Sequence, residues 1–216
     1  MKIKAENKSL RKQAGYTLIE LSISVAIIAV LVMTGLYGVP RILDANKVTT
    51  LTQQVTLATA NYSKIAAQTA GTARTFSDSR AAAGIKSLGA MGVWPEEALT
   101  KNSSGEVTKI THPFGGGIQS FSNTTGLTNM AIDDGYYIRL DSVPLKNCFA
   151  ITSAFLNTAV TAYVGVDTTF KEPTLGQVET TTPIKIPGGA VSLTNLASQC
   201  VGTAGTTKSI YLAFAY

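Results

Sequence analysis

The sequence predicts an α+β fold. One long N-terminal helix has a first half that is apolar all round and protrudes, and a second half that is amphipathic and packs on an antiparallel β-sheet. Three observations carry this expectation. Leu21–Val39 is a run of 19 positions without a charge. After it, Val48, Leu51, Val55, Ala58, Tyr62 and Ile65 recur at spacings of three and four, which is one helix face. Beyond residue 71 the chain turns to short runs rich in β-branched and aromatic residues, divided by Gly, Pro, Asn and Asp.

A length of 216 residues suits one domain with an appendage. Apolar residues make up 45% and charged residues 14%, against about 25% charged in an ordinary globular chain. That excludes a disordered polyelectrolyte and suits a membrane or packed assembly. The net charge of +5 is uneven. Residues 1–15 hold Lys2, Lys4, Lys8, Arg11 and Lys12 against Glu6, while the remainder holds 13 basic and 12 acidic groups. The basic character belongs to the N-terminal tail and predicts no nucleic-acid surface on the body.

The apolar run would span about 28 Å as a helix, close to the hydrocarbon thickness of a bilayer. Positive residues precede it, which keeps residues 1–15 cytoplasmic and sends the body outward. Three readings compete. A secretory signal peptide would end in a small-residue cleavage site, and Val32–Met33–Thr34–Gly35 is a poor match. A permanent anchor is the plain reading. The third rests on Gly15, at the junction of charged tail and apolar run, and on Glu20, a lone acid in the first turns.

A carboxylate at mid-helix depth costs roughly 2.5–3.5 kcal/mol on insertion scales, less near the end, so it wants a partner. Cleavage after Gly15 would give Tyr16 a free α-amine one helical turn from Glu20, on the same face. That amine could also reach Glu20 of a neighbouring copy. Glu20 further sits at the favourable end of the helix dipole.

Gly15–Tyr16–Thr17–Leu18–Ile19–Glu20 with the apolar run after it resembles the class III leader and cleavage site of type IV pilins and pseudopilins. The resemblance implies that a prepilin peptidase cuts between Gly15 and Tyr16 and methylates the Tyr16 amine, and that Glu20 serves assembly. Tyr rather than Phe as first product residue, and a long leader, are similar to the type IVb class. The domain layout implied is a cleaved leader, 1–15; a transmembrane and filament-core helix, 16–40; the amphipathic half, 41–70; and a globular pilin head with its αβ-loop and a disulfide-bonded C-terminal region, 71–216.

Gly35, Gly38 and Pro40 interrupt the apolar segment near its end, and Pro40 predicts a kink or local melting. In the amphipathic half, Thr50, Gln53, Lys64 and Gln68 point away from the stripe, Gln54 and Asn61 flank it, and Leu57 falls toward the polar side. A helix on a sheet fits this stripe better than a coiled-coil seam, which would need more heptads. Gly71 marks a stop.

In the head, Ser77–Asp78 predicts a cap for a short helix over Ala81–Leu88, punctuated by Gly89 and Gly92. Trp94–Leu99 predicts another, with Pro95 in its first turn. Asn102–Gly105 and Asp133–Gly135 predict turns. Ile118–Ser122, Tyr136–Leu140, Ala162–Val166 and Ser209–Tyr216 predict strands, the last placed inside the sheet because a terminal strand needs pairing to be ordered. Leu145–Leu156 predicts a helix after Pro144, with Cys148, Ile151 and Phe155 on one face. Val191–Cys200 predicts another, capped by Ser192 or Thr194. The order Trp94–Pro95, Gly115–Gly117, Val143–Pro144, Cys148 and Cys200 is similar to type IVb pilins, loosely over residues 90–216.

Cys148 and Cys200 are either free core thiols or, beyond the inner membrane, a disulfide; export favours the disulfide. Its closure would stabilise the fold by about 4 kcal/mol in the chain-entropy model.

No nucleophile elbow, P-loop or dinucleotide fingerprint is present. His112 reads as a solvated loop residue. Gly115–Gly117 reads as a turn, not a phosphate cradle. Asp133–Asp134 falls short of a calcium cage. Two Cys and one His supply too few zinc ligands. Asn102 and Asn123 head weak glycosylation sequons.

The expectation is therefore no enzyme, no cofactor and no metal. The resemblance implies a type IVb pilus subunit: a prepilin in the bacterial inner membrane, then a homopolymeric surface filament. Its partners would be prepilin peptidase, the pilus assembly machinery and copies of itself. The alternatives are a minor pilin or a type II secretion pseudopilin and, more distantly, a membrane-anchored periplasmic enzyme. Adhesion, aggregation, conjugative mating and DNA uptake are all compatible with such a fibre.

Overall fold

The computed structural model describes residues 16–68, 82–122, 134–166, 183–203 and 205–216. Residues 1–15, Gly71, Ser77–Asp78, Asn123 and Asp133 lie outside them. The chain divides into two compact units, 1–43 and 44–216, and helix α1 (Leu18–Gln68) contributes to both.

In the first unit the helix carries no charge from Leu21 to Val39, and none of its described side chains is buried. Pro40 does not melt it: the helical backbone runs without a break from Leu18 to Gln68. Proline removes the donor for the Leu36 carbonyl, but unwinding would orphan several more backbone groups beside an apolar sequence, so one lost bond is the smaller penalty.

In the second unit the predicted stripe is the buried face of α1. Leu51, Val55, Ala58 and Tyr62 are fully buried, Val48 and Ile65 pack at its ends, and Leu57 is exposed as its position implied. Full burial is worth roughly 1.5–3 kcal/mol for each large apolar side chain, which offsets the poor helix propensity of the threonines. Their hydroxyls turn back onto the helix, as with Thr52 to the Val48 carbonyl and Thr56 to the Thr52 carbonyl. The partner of this face is a four-stranded antiparallel sheet. The Tyr62 ring lies 4.3 Å from that of Tyr136, the Tyr62 hydroxyl donates to Ser120 Oγ, and the Tyr136 hydroxyl donates to the Thr59 carbonyl.

That sheet contains β3 (Ile118–Ser122), β4 (Gly135–Pro144), β5 (Thr161–Val166) and β6 (Thr207–Ala215) in the order β3-β4-β6-β5. The last strand is thus internal, as expected. Ile118, Tyr136, Ile138, Leu140, Ala162, Val164, Ile210, Leu212 and Phe214 face the core with α1. The segment around Lys185 bridges to Ala162, and Gln199 Oε1 accepts from the Val164 N–H, so the outer edge of β5 is blunted.

Helices α2 (Ala82–Ala90), α3 (Leu145–Phe155) and α4 (Leu193–Gln199) fall close to the expected places. Ser192 is the α4 cap, its Oγ accepting from the Asn195 N–H. The helix expected over Trp94–Leu99 is a single 3-10 turn, Glu96–Ala98, because Leu99 already pairs with Ile110. That pairing joins β1 (Leu99–Lys101) to β2 (Val107–Ile110) in a hairpin the sequence did not suggest.

His112 is not solvated. It is buried, Nε2 lies 2.6 Å from the Asp141 carbonyl, and Nδ1 accepts from the Phe114 N–H. These bonds assign the neutral ring with its proton on Nε2. The Asp141 carbonyl needs this donor because β4 bulges there: the register with β6 shifts between Leu140 and Val143, and Ser142 takes φ +56°. Gly116 fits beneath because it lacks a Cβ, which would strike the Asp141 carbonyl and the His112 ring.

Candidate functional site

The helix start is built by four residues. Tyr16 and Thr17 lie before the helix, and Leu18 begins it. The Thr17 hydroxyl oxygen accepts from the Glu20 N–H at 3.3 Å. In return Glu20 Oε2 accepts from the Thr17 N–H and from the Thr17 hydroxyl, both at 2.9 Å. This is the reciprocal capping box of a Thr-x-x-Glu sequence. Glu20 Oε1 has no hydrogen bond among the described residues. The sequence predicts Glu20 facing the Tyr16 amine; in the structure its bonds go to Thr17. Thr17 has no role predicted from the sequence, and its signal is a threonine three positions before a glutamate. Gly15 lies outside the described residues, and Tyr16 is 86% exposed.

From Leu21 to Val39 the helix carries no charge. The described large apolar side chains from Leu18 to Leu43 are all more than half exposed. The polar side chains among them are turned inward. Ser22 donates to the Ile19 carbonyl, Ser24 to the Glu20 carbonyl, and Thr34 to those of Val30 and Leu31. Hydroxyls satisfied in this way need nothing from a neighbour, so the helix can lie in lipid or against apolar protein. By length and composition it is sufficient to cross a membrane.

In the head, Cys148 of α3 is disulfide-bonded to Cys200 at the end of α4, with their Cα atoms 5.6 Å apart and 52 positions between them. Lys146, two residues before Cys148, pairs with Asp44 of α1. The side chain of Asn102, the first sequon, is engaged by the Ser104 and Glu106 N–H groups and by the Glu106 carboxylate. Among the described residues no three His, Cys, Asp or Glu side chains gather to hold a metal.

A long N-terminal helix laid on an antiparallel sheet, with a disulfide-closed C-terminal region, is the pilin fold. More narrowly, it is the fold of type IVb pilins. The chain superposes on the type IVb pilin of Salmonella typhi with a TM-score of 0.54 at 14% identity, covering 78% of this chain and 99% of that one. It superposes on TcpA, a type IV pilin from the Vibrio cholerae El Tor biotype, with a TM-score of 0.52 at 18% identity, covering 79% and 99%. Residues 10–36 match the model of the prokaryotic N-terminal methylation motif. No curated protein matches the chain in sequence.

Proposed function

We propose that the chain is a structural subunit of a bacterial type IVb pilus. Prepilin peptidase cuts between Gly15 and Tyr16 and methylates the Tyr16 amine. The subunit waits in the inner membrane on its apolar helix, and the pilus assembly machinery then moves it into a surface filament of identical copies. The chain acts as a building unit rather than an enzyme, and the filament serves adhesion, aggregation or conjugative mating.

The observation that supports this reading best is the surface of α1 from Leu18 to Leu43. It carries no charge from Leu21 to Val39, the hydroxyls of Ser22, Ser24 and Thr34 are satisfied internally, and the Glu20 carboxylate is capped by Thr17. Such a rod is stable in lipid or among copies of itself, and burial against copies recovers the same apolar contribution as burial in a bilayer. Glu20 Oε1, left open by the capping box, is the natural acceptor for the new amine of its own or a neighbouring copy.

Mass spectrometry of material sheared from cells tests this. The expected mature chain begins at Tyr16 with one added methyl and comes from filaments seen by electron microscopy. An intact chain starting at Met1, with no filaments on the cells, would overturn it.

A further inference from the structure

We draw no further inference here: the strongest candidate, the face of the four-stranded sheet turned away from α1, where the Tyr137 hydroxyl and the Gln119 side-chain carbonyl are buried with no hydrogen bond among the described residues, on the same face as Arg139 and Tyr211, carries nothing because nothing among the described residues shows what lies against those two groups.

Discussion

Thr17 and Glu20 hold each other across the first turn of α1. The Glu20 carboxylate takes the backbone N–H and the hydroxyl of Thr17, and the Glu20 N–H returns a bond to that hydroxyl oxygen. The pair closes the helix start and keeps one carboxylate oxygen available.

Three variants separate the cap from the charge. Glu20→Gln keeps an oxygen for the cap and loses the charge, Glu20→Val loses both, and Thr17→Ala weakens the cap by about 1 kcal/mol. All three should still be cleaved after Gly15. A charge-assisted hydrogen bond is worth about 1.5–3 kcal/mol, so sheared fibre should fall roughly tenfold or more in both Glu20 variants and less in Thr17→Ala. A normal fibre yield from Glu20→Gln would show that the cap, not the charge, is what assembly requires.

Gly15→Ala should leave the leader in place. Only a residue without Cβ allows the closest approach of a foreign backbone to the scissile bond. The check is electrophoretic mobility of the chain in cells with prepilin peptidase. Full conversion of the variant to the shorter form would refute this expectation.

Tyr137→Phe should stabilise the head by about 1 kcal/mol, since it removes a buried hydroxyl that has no hydrogen bond among the described residues. It should also alter the alkaline limb of stability. Burial holds the hydroxyls of Tyr136 and Tyr137 above the ordinary tyrosine value of 10.0. The folded state therefore keeps protons that the unfolded chain releases, and stability present below pH 10 is lost as the pH rises beyond it. Thermal melts of the protein in detergent, stepped from pH 8 upward, should show a shallower loss in Tyr137→Phe. Identical slopes would count against the burial argument.

Replacing Cys148 and Cys200 together by serine should cost about 4 kcal/mol in the chain-entropy model, or roughly 10 °C in Tm for a chain of this size. Differential scanning calorimetry reads the shift. An unchanged Tm would mean that packing of α3 and α4 suffices without the crosslink.

Local signals carried most of this fold. The α1 stripe was legible because one period persists from Val48 to Ile65 and a single sheet covers it. β3 was legible at both ends because Gly117 and the residues after Ser122 break the pattern there. What failed depended on distant partners. β1 is three residues long and exists only because β2 returns beside it. His112 is buried by a bulge in β4, 29 positions away, which nothing near His112 announces. At the candidate site, Glu20 is legible as an acid in an apolar run, while Thr17 is not, because a threonine at a helix start is ordinary and only its bonds to the acid set it apart.

The central place of β6 also orders biogenesis. β4 and β5 meet only through that strand, and it is synthesised after every other described element. Until β6 is made, β4 and β5 have no common partner and the four-stranded sheet cannot close. The apolar half of α1, by contrast, precedes every other described element in the chain. Under the function proposed above, retention at the bilayer precedes closure of the sheet and formation of the Cys148–Cys200 disulfide.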